Sequence, residues 1–92
     1  MSKIFLYGIG GPENQYRVLR YEDMGSEKIS IADMVSTARY MRFRNPSIKR
    51  VFAVDDRYGL AEEYRTSVRR NTIESCAVFK DTLERDGIEI PI

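Results

Sequence analysis

The sequence predicts an α+β domain, a two-layer sandwich in which a small mixed or antiparallel sheet packs on two helices. The predicted order is β-β-α-β-α, with room for a short final strand. Three observations carry this reading. The apolar runs Ile4–Ile9 and Val51–Val54 are too short for helices and end in glycine or charge, as strands do. A helical repeat of Ile31, Met34, Val35, Ala38 and Met41 is framed by a capping box at Ser30 and a stop at Asn45-Pro46. A second helical repeat runs from about Leu60 to Asp86 and ends at Gly87, a residue suited to a helix terminus.

Taken in order, Ile4-Phe5-Leu6-Tyr7-Gly8-Ile9 reads as a strand, central in its sheet. Gly10-Gly11-Pro12-Glu13-Asn14 has turn chemistry at every position, so the strand from about Gln15 to Met24 pairs back on the first as a hairpin. Strict alternation there would place Tyr16, Val18 and Arg20 on one face and Arg17, Leu19 and Tyr21 on the other. After the loop at Gly25-Ser26-Glu27-Lys28, Ser30 and Asp33 mark the helix start, and Asn45 before Pro46 is pushed out of the α region and ends it. Lys49–Asp55 is an uninterrupted apolar run with polar ends, suited to burial on both faces. A turn at Arg57-Tyr58-Gly59 leads into the long helical repeat, whose inward stripe is Ala61, Tyr64, Val68, Thr72, Cys76, Phe79 and Leu83. A continuous helix of that length would reach about 39 Å at ~1.5 Å per residue, longer than a domain of this size is wide, so the helix is expected either to break near Asn71-Thr72 or to protrude. Ile88–Ile92 alternates and suits a short edge strand, with Pro91 at its end.

Ninety-two residues make one domain, 1–92, of a size that buries roughly 60 to 65% of the unfolded chain's surface. The 42% hydrophobic content is too high for a disordered chain, and the charged residues nearly cancel to +1. Binding to an anionic partner must therefore come from local clustering. Eleven of the fifteen basic residues are Arg, a bias toward the planar fork that pairs bidentately and stacks on rings. Cys76 is the only cysteine, which excludes an intramolecular disulfide framework and fits a reducing compartment. The opening residues lack the basic and apolar regions of a signal peptide, and no apolar run approaches the ~18 residues of a membrane span, so a cytoplasmic protein is expected.

Charge distribution supplies the functional clue. Arg39 through Arg50 carries five positive charges and two aromatic rings, and no acidic residue occurs from Met34 to Val54. Arg39, Tyr40, Arg42, Phe43, Arg44, Lys49 and Arg50 form the primary candidate patch, and Arg65, Arg69 and Arg70 a second, which would join the first if the two helices pack side by side. Charge beside flat apolar area suits protein hot spots and single-stranded nucleic acid alike. A solvated face, with arginines offsetting the helix dipole, is the plainer alternative for each cluster.

Catalytic readings have little support. The chain has no histidine, the side chain most used for proton transfer near neutrality and for metal ligation. Cys76 sits on the packing stripe of its helix with no histidine to activate it. Gly8-Ile9-Gly10-Gly11 leads into Pro12-Glu13-Asn14 and not into a helix, so it reads as a hairpin turn and not as a phosphate loop. Asp55, Asp56, Glu62 and Glu63 read as helix N-terminal charge, with a divalent-cation site as the alternative.

In size and general character, a single α+β domain without histidine or disulfides and with an Arg-aromatic surface, the chain resembles the small inhibitors that phages make against host machinery, the anti-CRISPR proteins among them. The resemblance implies a non-enzymatic inhibitor in the host cytoplasm, without cofactor, metal, membrane partner or small-molecule substrate. Its partner would be a host protein or ribonucleoprotein complex such as a CRISPR surveillance complex, blocked by occlusion with contacts to RNA or DNA backbone. Two alternatives stay open: direct nucleic-acid binding through the same arginines and rings, and a small metal-dependent enzyme relying on Asp55 or Asp56.

Overall fold

Two strands that are apolar on both sides set the architecture. The structure is a computed structural model and describes residues 3–12, 15–56, 62, 65, 66, 69, 70 and 72–92. The elements are β1 (Lys3–Gly10), β2 (Arg17–Asp23), α1 (Ile31–Arg44), β3 (Ile48–Asp56), α2 (Ile73–Asp86) and β4 (Ile88–Ile90). The four strands form one antiparallel sheet in the order β2-β1-β3-β4. The α+β class and the order of elements are those predicted from the sequence.

The helices take one face each instead of sharing a layer. Phe5, Tyr7, Ile9, Phe52 and Val54 point to one side and pack with Phe79 and Leu83 of α2. Leu6, Ile48, Val51, Ala53 and Ile90 point to the other and pack with Ala38 and Met41 of α1. The reason lies in the central stretches of β1 and β3, Ile4–Ile9 and Val51–Val54, whose side chains include none that is polar or charged except the buried Tyr7. A helix layer on one face only would leave half of them in water, at roughly 1.5–3 kcal/mol for each large side chain. Tyr7 is fully buried at the centre, edge-on to Phe79 with ring centroids 5.2 Å apart.

Local signals place the helix ends. Ser30 accepts from the Asp33 amide at 3.1 Å and Asp33 accepts from the Ser30 amide at 3.3 Å, completing the capping box. The expected apolar stripe of α1 holds at Met34, Val35, Ala38 and Met41, whereas Ile31, in the first turn, is 69% exposed. Glu62, Arg65, Thr66, Arg69 and Arg70 are helical, and the break falls at Thr72 (φ −91°, ψ 161°), whose extended backbone caps α2. Thr72 is therefore an exposed cap and not part of the inward stripe, from which Cys76 is half-buried and Phe79 and Leu83 are buried. The turn at Arg57-Tyr58-Gly59, the helix start at Leu60 and the stripe positions Ala61, Tyr64 and Val68 lie outside the described residues.

Two irregularities redirect side chains. In β2 the pairing steps from Gly8↔Arg20 to Ile9↔Val18, leaving Leu19 as an extra residue. Strict alternation fails there: Val18 packs with the α2-side cluster and Leu19 with the α1-side cluster, while Tyr21 sits opposite Tyr7. In β3 the step from Ile9↔Arg50 to Gly10↔Ile48 makes Lys49 the extra residue and turns Ile48 onto the α1 side.

Gly8 and Gly10 lie under this turn. A Cβ at Gly10 would stand 2.0 Å from the Ser47 carbonyl oxygen, and one at Gly8 would stand 2.7 Å from Ile48 Cδ1. Close backbone approach, not phosphate binding, explains these glycines. Gly10→Ala is expected to destabilise the fold by about 2–3 kcal/mol in chemical denaturation, because backbone must move. Gly8→Ala should cost less, since the end of the Ile48 side chain can yield; equal losses would contradict this assignment.

Candidate interaction surface

Ala38 and Met41 anchor one side of α1 in the core and leave Arg39 and Phe43 facing away from it, while Arg42, four residues after Ala38, reaches water because it lies in the last turn of the helix. Arg39, Arg42 and Arg44 are exposed, and among the described residues none makes a hydrogen bond or ion pair. Arg42 and Arg44 lie in the last turn, where a cation offsets the helix dipole by about 0.3–1 kcal/mol. That contribution does not account for Phe43, which is 80% exposed between them. Arg39, Arg42 and Phe43 line an open concavity of about 350 Å³ completed by Pro46 and Ile92.

Tyr40, 52% exposed, belongs to the same helix end but turns toward β2. The Arg20 guanidinium lies 5.8 Å from its ring centroid and is held by Glu22, with Nη2···Oε1 2.6 Å. Arg20 is the residue that the sequence pairs with Tyr21; only the fold brings it to Tyr40.

Lys49 and Arg50 do not join this surface. Their contacts lie on the α2 side of the sheet. The Lys49 ammonium is 5.8 Å from the Tyr16 ring centroid, and Lys80 of α2 is 5.5 Å from the same ring. Arg50 stacks over Phe52 at 4.8 Å and donates to Glu89 through Nε (3.2 Å) and Nη2 (2.9 Å) and to Glu84 through Nη1 (2.9 Å). It is a clamp joining β3, β4 and the end of α2.

The second predicted patch is also internally engaged. Arg65 lies over the rings of Phe5 (4.9 Å) and Tyr21 (5.9 Å) and approaches Glu62 at 3.6 Å, while Arg69 pairs with Glu62 at 3.0 Å. Arg70 is exposed and makes no ion pair among the described residues. Phe5 belongs to the α2-side core, so Arg65 and the end of α1 are on opposite faces and the two patches do not merge. The surface that remains coherent is Arg39, Tyr40, Arg42, Phe43 and Arg44.

Among the described residues no three of the Cys, Asp and Glu side chains gather to hold a metal ion, and no helix is long and apolar enough to cross a membrane. Glu63 lies outside the described residues.

The Arg50 clamp has a pH signature. Hydrogen bonding from Arg50 holds the Glu89 carboxyl below the ordinary glutamate range, and hydrogen bonding to Glu89 raises the Arg50 guanidinium further still. A lowered carboxyl stabilises the fold fully above its unfolded pKa of about 4.3 and loses that contribution as pH falls through the lowered value. Because Glu89 is half exposed, the contribution is at most about 1 kcal/mol. Wild type is expected to exceed Glu89→Gln in thermal stability at neutral pH, with the gap closing in acid below the ordinary glutamate range. A gap that persists there would exclude an ionised Glu89 as its source.

A scan against protein-family models finds no match, and searches of curated proteins and of solved structures find none either.

Proposed function

We propose that the protein is a non-enzymatic binding protein that acts by stoichiometric occlusion through the end of α1. The observation that carries this is the combination of three exposed guanidiniums, none of them ion-paired among the described residues, with a ring that is 80% exposed between them. An isolated arginine fan is ordinary surface, but a ring 80% exposed inside it places apolar area beside the charges. Rings and arginines are the side chains that dominate binding energy at interfaces, since one supplies desolvated area and the other charge-assisted hydrogen bonds.

The partner in this reading is an RNA-guided nucleoprotein complex in the host cytoplasm, in keeping with the resemblance to phage anti-CRISPR inhibitors. Arg39, Arg42 and Arg44 would meet acidic side chains or guide phosphates of the complex, and Phe43 and Tyr40 would fill adjoining apolar surface. Seating there excludes the target strand by volume and charge, so no turnover, cofactor or metal is needed. Contact with free nucleic acid is the second reading, favoured by the exposure of Phe43, which offers a stacking face beside phosphate-binding groups.

Salt titration separates the two. Submicromolar binding to free oligonucleotides with a steep salt dependence would establish the second reading, whereas capture of a protein or nucleoprotein complex without affinity for free strands would establish the first. In either case Arg42→Glu with Arg44→Glu should weaken binding by at least about tenfold while changing the fold's stability only by the lost dipole contribution of roughly 1–2 kcal/mol. Unchanged binding in this folded variant would place the interface elsewhere.

A further inference from the structure

Strand register carries two more arginines to the basic end of α1. Arg17 and Arg20 of β2 stand opposite Gly10 and Gly8 of β1, and residues paired across a ladder project from the same face of the sheet. A Cβ at Gly8 would meet Ile48, which packs with the α1-side cluster, and one at Gly10 would meet the Ser47 carbonyl in the joint between α1 and β3. The shared face is therefore the α1 face. The neighbours in sequence agree: Tyr16 and Val18 pack with the α2-side cluster, so Arg17 between them projects the other way. Because Gly10 has no side chain, the joint settles directly onto β1 beside β2. The Arg17 Cα is at most roughly 9 Å from the Ser47 carbonyl oxygen, three residues beyond Arg44.

Four of the arginines gathered here have no internal acid to give up. Arg17, Arg39, Arg42 and Arg44 are exposed, and none makes an ion pair among the described residues. Arg20 is held by Glu22 and adds no free charge, but its guanidinium over the Tyr40 ring closes the gap between strand and helix. At about 100° per residue, the outer side of the last turns of α1 presents Arg42, Arg39, Phe43, Tyr40 and Arg44 in that order around the helix. Arg17 continues the series across β2. Two exposed rings thus lie within a run of cations, Phe43 at 80% and Tyr40 at 52%. A folded protein partner would need a carboxylate placed opposite each arginine. A phosphodiester strand brings one negative charge and one flat base with every nucleotide.

We propose that this surface is a track for a single strand of nucleic acid, running from Arg42 around the end of α1 and across β2 to Arg17. Its phosphates meet the guanidiniums of Arg42, Arg39, Arg44 and Arg17, and its bases lie against Phe43 and Tyr40. Charge and stacking make such recognition tolerant of sequence. The proposal rests on the reading of the α1 end as a binding surface, takes the nucleic-acid form of it, and extends it to Arg17, which lies outside the acid-free segment of the sequence.

The test is an anisotropy titration of a labelled oligothymidylate with the full chain, repeated across salt concentrations. Each phosphate neutralised on a single strand contributes about −0.7 to the slope of log affinity against log salt, so four contacts give about −2.8. Arg17→Gln should bring the slope to about −2.1. Lys49→Gln, whose side chain lies on the α2 side beside Tyr16, should leave it unchanged. Arg17 is exposed on an edge strand, so the variant is expected to fold. Inorganic polyphosphate, which has the charges without the bases, should compete at least about tenfold less well than an unlabelled oligonucleotide of equal charge. No binding of the oligonucleotide would overturn the track and the nucleic-acid reading, while leaving occlusion of a protein partner by the α1 end in place. A slope made shallower by Arg42→Glu with Arg44→Glu but not by Arg17→Gln would overturn the extension across β2 alone. Binding indifferent to all of these substitutions would put the strand elsewhere and remove the α1 end as its site. Equal competition by polyphosphate would reduce the surface to a general polyanion site and overturn the assignment of a strand.

Discussion

Everything in this fold follows from the need to cover both faces of β1 and β3. Phe5, Tyr7, Ile9, Phe52 and Val54 on one side, and Leu6, Val51 and Ala53 on the other, cannot be desolvated by helices stacked in a single layer. Placing α1 and α2 on opposite faces meets that demand with two 14-residue helices. It also separates the outer surfaces of those helices, so that each presents its own chemistry to solvent. The molecule consequently has a basic, aromatic helix end on one side and a network of internally paired charges on the other.

Pairing status, more than charge count, distinguishes surface that holds the protein together from surface left for a partner. Arg50 spends its guanidinium on Glu84, Glu89 and the face of Phe52, thereby tying β3, β4 and α2. Arg65 and Arg69 share Glu62. Arg39, Arg42 and Arg44 have no acid within reach because the chain supplies none between Met34 and Val54 and the fold brings none from elsewhere among the described residues. Each of these three can meet an outside acid or phosphate without first giving up an internal partner.

Asn45 and Pro46 end the helix, Lys49 is the extra residue of a bulge, and Ile48 drops onto the glycine surface of β1. That bulge sends Lys49 and Arg50 to the α2 side while Arg39 through Arg44 remain on the α1 side. One acid-free sequence segment thus feeds two separate surfaces.

Local order was legible in the residues: the capping box at Ser30, the helix stop before Pro46, the break at Thr72 and both central strands follow from short-range sterics and hydrogen bonding, which neighbouring residues decide. The unbroken apolar runs also implied two covered faces, although a two-layer sandwich does not use that implication. By contrast, the bulges at Leu19 and Lys49, the meeting of Arg20 with Tyr40 and the capture of Arg50 by Glu84 and Glu89 depend on register and on contacts between residues far apart in the chain. A single extra residue in a strand reverses the direction of every side chain beyond it, and no local preference announces where it will fall. The sequence by itself therefore determined which elements form and where basic charge concentrates. Tertiary structure alone decided which arginines are neutralised within the fold and which remain available.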